Sequence, residues 1–200
     1  MMNLPNKLSL MRIFIVPLMG VFYVLNYDWS ILVATALFLI AVFTDFLDGY
    51  IARKTNQVTD LGKLLDPIAD KLLVCFALFL IVENGVFLQQ DIIPMGVGGF
   101  CCAIIIGREL LIGLVRQIGA TKSVVIQANF WGKIKAVFQY VSIPVLMILG
   151  LKDSLIDISE VLYQVLFWVG MITFAIATVL TVVSAIIYLI QNKKVFSFTK

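Results

Sequence analysis

Residues 31–82 read ILVATALFLIAVFTDFLDGYIARKTNQVTDLGKLLDPIADKLLVCFALFLIV. Two apolar stretches flank a short polar joint, and each has about the 20 residues that a helix needs to cross about 30 Å of hydrocarbon. Aspartate breaks the apolar lettering four times, at Asp45, Asp48, Asp66 and Asp70. A pair of consecutive, antiparallel membrane helices with acids near their joined ends is the local reading.

The rest of the chain repeats the apolar pattern in runs at 9–27, 92–115, 128–151 and 161–190, which join 31–52 and 64–82. Of 200 residues, 62% are hydrophobic and 14% charged, more apolar surface than a core of this size consumes, so much of it must face lipid. The runs are too long and too evenly apolar for barrel strands. The expectation is an all-α membrane protein, a six-transmembrane-helix bundle forming one domain over residues 1–200. Residues 1–8 read as a short interfacial segment in which Pro5 starts a helix, and the polar letters of 54–63 read as a loop. No repeat or low-complexity tract is visible. The first run lacks a small-residue cleavage site and reads as retained.

Charge sets the orientation. Lys7, Arg12, Arg53, Lys54, Lys63, Arg116, Lys122, Lys133, Lys135, Lys193, Lys194 and Lys200 fall on one side of the runs. Asp28, Glu83, Asp91, Asp153, Asp157 and Glu160 fall on the other, with Lys152 as its one base. The positive-inside rule then puts both termini in the cytoplasm.

Composition also excludes chemistry. The chain has no histidine, which removes Ser–His–Asp hydrolysis, histidine metal sites and histidine nucleophiles. Cys75, Cys101 and Cys102 lie inside apolar runs and read as packing residues, without a disulfide framework. Gly96, Gly98 and Gly99 could permit close helix contact.

The four aspartates need a counter-charge, because an ionised Asp inside a span costs about 2.5–3.5 kcal/mol, less near the interface. Asp45 and Asp48 are spaced i, i+3, and Asp66 and Asp70 i, i+4, so each pair shares one helical face. Both pairs sit at one membrane depth and can converge between their helices. Four carboxylates without nitrogen or sulfur ligands make a hard-oxygen site for Mg²⁺ or Mn²⁺, and their charge suits two ions. Two such ions clamp a displacement at phosphorus. Gly49 and Ala52 leave room for a ligand, and Arg53 is placed to reach a phosphate. Two other readings stand beside this one. Arg53, Lys63 and Lys71 could pair with the acids in a structural network, or the acids could line a proton or ion path.

The assembled residues read Asp45-x2-Asp48-Gly49-x2-Ala52-Arg53-x8-Gly62-x3-Asp66-x3-Asp70. This pattern resembles the signature of the CDP-alcohol phosphotransferase family, with eight fixed residues over 26 positions. The resemblance implies that Asp45 and Asp66 touch both metals, that Asp48 binds one and Asp70 the other, and that Asp70 is the base for the acceptor hydroxyl. It implies that Gly49, Ala52, Arg53 and Gly62 meet the CDP headgroup, with Thr59 a further nucleotide contact. The segment Pro5-Asn6-Lys7-Leu8-Ser9-x2-Arg12 is similar to the family's N-terminal Asn-x-Leu-Thr-x2-Arg stretch, with serine in place of threonine. It places Asn6 and Ser9 beside the nucleotide. The implied setting is a bacterial cytoplasmic membrane, with the site facing the cytoplasm. CDP-diacylglycerol and membrane lipids are the implied partners, the protein a homodimer, and nucleic acid is not expected.

The acceptor is read from later residues. Arg108 and Glu109 fall inside the fourth run, where a charge needs a reason. With Arg116, Lys133 and Lys135 on the same side, Arg108 suits an anionic acceptor carrying a phosphate, although positive-inside bias accounts for some of these bases. Residues 62–71, 107–111 and 132–135 resemble family members that use glycerol 3-phosphate, which implies that alcohol and phosphatidylglycerol phosphate as product. Inositol phosphate, serine or phosphatidylglycerol would serve the same metal site. Outside the class, a metal- or proton-coupled transporter would place its acids near the midplane and show repeats. A non-catalytic CDP-lipid-binding module would need no base at Asp70.

Overall fold

In the described residues the apolar runs become six α-helices: α1 Leu4–Val24, α2 Asp28–Thr55, α3 Asp60–Glu83, α4 Val97–Thr121, α5 Phe130–Ile148 and α6 Glu160–Gln191. A 3₁₀ turn, Val86–Leu88, follows α3. The computed structural model describes residues 4–25, 27–55, 60–88, 94, 96–121, 130–151 and 159–191. Within these stretches it describes the side chains except at 4–6, 48–55, 60–66, 117, 118, 120 and 121. No strand occurs among them. By length and composition, segments of α1, α2, α4 and α6 are apolar enough to cross a membrane.

One boundary differs from the expectation. Residues 4–8 form the first turns of α1, with Pro5 at the helix start where its missing N–H costs nothing. The expected loop at 54–63 is largely helix, since α2 runs to Thr55 and α3 begins at Asp60. Polar letters do not break a helix by themselves, and an acid in a first turn favours the helix dipole. Residues 56–59 lie outside the described ones.

The packing joins α5 to α6, α1 to both α2 and α3, and α4 to α6. Large side chains such as Met19, Ile31, Phe38, Leu73, Ile81, Ile143 and Phe167 fill the centre, and Ala34, Ala41 and Ala77 let backbones approach. The exterior carries Phe14, Phe43, Phe100 and Val161, all more than half exposed, which suits lipid. Buried hydroxyls close on their own helix: Thr35 donates to the Ile31 carbonyl at 2.9 Å and Thr178 to that of Phe174 at 2.9 Å.

The loop after α3 turns on Gly85, whose φ of +67° places it in the left-handed region that glycine enters without strain. Asn84 there donates to the Gly150 carbonyl at 3.4 Å and ties the ends of α3 and α5 together.

Gly98 makes a close contact, with the 3₁₀ turn. A Cβ at Gly98 would strike Cγ of Phe87, a buried ring 5.1 Å from that of Phe174, whereas at Gly99 the nearest atom would be 3.8 Å away. Gly98→Val is therefore expected to destabilise the protein by about 2 kcal/mol through overpacking, and Gly99→Ala to leave it unchanged. Thermal melting of the two detergent-purified variants checks this.

Candidate active site

The chain reverses direction from helix to helix, so the start of each odd-numbered helix meets the end of each even-numbered one. At that end of the bundle the polar side chains behave differently from the threonines above. They bond across helices. Arg12 of α1 pairs with Asp45 of α2, Tyr140 of α5 with Asp70 of α3, Lys135 of α5 with Glu109 of α4, and Arg108 of α4 with Ser184 of α6.

Arg12 and Asp45 form the first of these pairs. The Arg12 side chain is wholly buried, and its Nη1 donates to Asp45 Oδ1, whose side chain is 36% exposed. A buried guanidinium is retained only with a counter-charge, and Asp45 supplies it. Ser9, one turn earlier on the same face, is also wholly buried.

Asp70 lies about one helical turn inside α3 from Asp66. The Tyr140 hydroxyl donates to Asp70 Oδ1 at 2.8 Å, and it also lies within electrostatic reach of Asp45 and Arg12. Asp45 of α2 and Asp70 of α3 therefore both lie near Tyr140. Tyr140→Phe is expected to lower kcat roughly 10-fold, the effect of one hydrogen bond to a charged group, with little change in either KM. Steady-state kinetics with both substrates varied would show it.

Asp70 also opens onto a cleft of about 240 Å³ among α3, α4 and α5. Its polar lining comprises Asp70 and Lys71, then Arg108, Glu109 and Arg116, then Lys133, Lys135, Gln139 and Tyr140. These described side chains bring five cations against two carboxylates. Such an excess makes the cleft a receptor for an anion. Lys135 pairs with Glu109, and three of the other cations also have neighbours that position them. Arg108 Nη2 donates to Ser184 Oγ at 3.0 Å, and the Arg108 Nη1–Glu109 Oε1 distance is 3.5 Å. The Arg116 guanidinium lies 5.7 Å from the centre of the Tyr188 ring. Lys71 lies across the surface of α4 at Gly113, where a Cβ would strike its Nζ. Arg108 keeps a buried Nε with no partner among the described residues.

The four bases read from sequence as an acceptor-phosphate set, Arg108, Arg116, Lys133 and Lys135, thus share one cleft with Asp70. Of the four aspartates, Asp45 and Asp70 have described side chains. Asp48 and Asp66 sit on α2 and α3 at helical spacing, their side chains outside the described residues. The donor chemistry fits a hard divalent cation: oxygen ligands on two packed helices, with no histidine in the chain. Asn6, Gly49, Ala52, Arg53 and Gly62 lie within helices without described side chains, and Thr59 lies outside the described residues. Asp70 accepts a bond from Tyr140 and lies within electrostatic reach of Lys71, and Asp45 pairs with Arg12.

Tyr140, Gln139 and the role of Arg12 escape a sequence reading. Tyr140 and Gln139 look like ordinary residues of a mixed apolar run, and Arg12 reads as a topology charge and the last residue of the N-terminal segment, neither of which shows its pairing with Asp45. The available signal was helical spacing, since positions 132, 135, 136, 139 and 140 share one face of α5.

Comparison with known proteins finds relatives along most of the chain. A model of the CDP-alcohol phosphatidyltransferase family matches residues 2–191. A Rickettsia felis protein named CDP-diacylglycerol–glycerol-3-phosphate 3-phosphatidyltransferase is 35% identical over 195 residues, 97% of each chain. Proteins of the same name from Bacillus subtilis and Salmonella choleraesuis are 38% identical over 169 residues and 32% over 194. These alignments cover 78% of this chain and 82% of the first relative, and 94% of this chain and 93% of the second.

Proposed function

Since the chain belongs to the CDP-alcohol phosphatidyltransferase family, we propose that it transfers the phosphatidyl group of CDP-diacylglycerol to sn-glycerol 3-phosphate, giving phosphatidylglycerophosphate and CMP. The observation that carries the acceptor is the cleft in which Asp70 shares walls with Arg108, Arg116, Lys133 and Lys135. A small phosphorylated alcohol fits it, with its phosphate among the bases and its hydroxyl at the carboxylate.

Asp70 takes the proton from the terminal hydroxyl of glycerol 3-phosphate. That oxygen bonds to the lipid-side phosphorus of CDP-diacylglycerol as the bond from this phosphorus to the bridging oxygen breaks. CMP departs with that oxygen, and the proton leaves Asp70 for solvent. Tyr140, by bonding Oδ1 of Asp70, fixes which face of the carboxylate meets the hydroxyl. The cations hold the acceptor's phosphate and set the distance of attack. Asp45, Asp48, Asp66 and Asp70 would hold Mg²⁺ or Mn²⁺, two ions on the family resemblance, which when bound neutralise the pyrophosphate. The headgroup contacts are assigned to Asn6, Ser9, Gly49, Ala52, Arg53, Thr59 and Gly62.

The enzyme is read as a homodimer in the bacterial cytoplasmic membrane. Each chain is one domain with six spans, and its termini and site face the cytoplasm. The distribution of lysine and arginine supports the orientation.

CMP release by detergent-purified protein, supplied with CDP-diacylglycerol, Mg²⁺ or Mn²⁺ and one candidate acceptor at a time, tests the reading. Release with glycerol 3-phosphate alone, abolished by EDTA, is expected. Release with inositol phosphate, serine or phosphatidylglycerol instead would move the acceptor. No release from folded, metal-supplied protein would favour transport or simple binding.

A further inference from the structure

We propose that Gln139 is a specificity-determining residue that reads the middle hydroxyl of the acceptor. This rests on the function proposed above and adds a residue that neither the motif nor the relatives assign.

Gln139 is 3% exposed and lines the cleft, yet its side-chain Nε2 has no hydrogen-bond partner among the described residues. Its backbone is not the cause, since the Gln139 carbonyl accepts a bond from Ser142 Oγ at 3.2 Å. An unpartnered amide inside a membrane helix is costly, and leucine would serve the packing without that cost. Across the cleft, α3 presents Val74, which offers no bond. We take the missing partner from what fills the cleft.

Position along α5 says which group of the ligand that is. Lys135 lies one turn before Gln139, and Tyr140 directly follows it on the same face. Lys135 belongs with Arg108 to the phosphate end, and Tyr140 marks Asp70, where the attacking hydroxyl sits. Gln139 stands between the two. Glycerol 3-phosphate carries one polar group between its phosphate and its terminal hydroxyl, the hydroxyl on the middle carbon. A donor between the two ends of the cleft meets it, and an acceptor lacking that hydroxyl leaves the amide unpaired, which is how a buried polar group discriminates strongly.

The test compares kcat/KM for glycerol 3-phosphate and for 3-hydroxypropyl phosphate, which lacks only that hydroxyl. The proteins are wild type, Gln139→Leu and Gln139→Met. Wild type is expected to prefer glycerol 3-phosphate by roughly 10-fold or more. In both variants the ratio should fall to within about 2-fold of unity through loss on glycerol 3-phosphate, because nothing remains to tell the two acceptors apart. Melting temperatures should match or exceed wild type, since the amide has no protein partner to lose.

Equal use of the two acceptors by wild type would overturn the proposal. So would variants that slow both acceptors in proportion, or a lowered melting temperature, either of which would mark the amide as structural. Failure of wild type to release CMP with glycerol 3-phosphate would instead sink the underlying function, and this inference with it.

Discussion

Asp70→Asn protein is expected to release CMP at less than about a thousandth of the wild-type rate, because general-base catalysis alone contributes about 10²–10⁴. Asparagine keeps the shape of the side chain and an oxygen that can accept from the Tyr140 hydroxyl, so the fold should hold. The variant loses the basicity that takes the acceptor's proton and one negative charge of the metal-binding set. Both losses act on the reacting centre. Glu160→Gln, a carboxylate change at the exposed start of α6, serves as the control and should run at the wild-type rate. Initial rates of CMP release from the two proteins, matched for melting temperature, give the comparison. An Asp70→Asn rate within 10-fold of wild type would remove Asp70 from the chemistry.

Lys135→Met is expected to raise KM for glycerol 3-phosphate about 100-fold, near the 3 kcal/mol upper end for a hydrogen bond to a charged group. The Lys135 side chain is 4% exposed and pairs with Glu109, so methionine replaces its stem but not its charge. Glu109 would keep Arg108 as a neighbour, at 3.5 Å, which limits the cost to the fold. KM for CDP-diacylglycerol should stay within about 3-fold, since the uncharged stem still packs and the lost charge–phosphate bond concerns the acceptor alone. Arg116→Met should act in the same direction more weakly, because Arg116 is exposed and stacked on Tyr188. Equal rises in both KM values on Lys135→Met would mean that the cleft does not separate acceptor from donor.

The parts of this site that a reader of the sequence can find are those marked by spacing or by misplacement. Asp45, Asp48, Asp66 and Asp70 stand at helical intervals in apolar surroundings, where a charge demands an explanation. Arg108 is out of place in the same way, and the short joints make neighbouring helices antiparallel, so the acids and bases gather at one end. The six helices followed from apolar run length for the same reason.

What stayed hidden depends on contacts between distant positions. Arg12 stands in the N-terminal segment and on the basic side, but only the folded chain shows it buried against Asp45, 33 residues away. Tyr140 is one hydroxyl in a mixed run, and its bond to Asp70 spans 70 residues. The ends of α2 and α3 were misjudged because residues 54–63 are polar, and polarity at the end of a membrane helix reports the water interface as well as it reports a loop.

The central claim is that one cleft delivers the hydroxyl of glycerol 3-phosphate to a phosphatidyl group activated by CMP. Purified enzyme given CDP-diacylglycerol, Mg²⁺ and glycerol 3-phosphate labelled with ³²P tests it most directly. The account predicts that label enters the lipid phase as phosphatidylglycerophosphate with one CMP released per labelled lipid, and that neither appears without the other. CMP released while the label stays in water would contradict it.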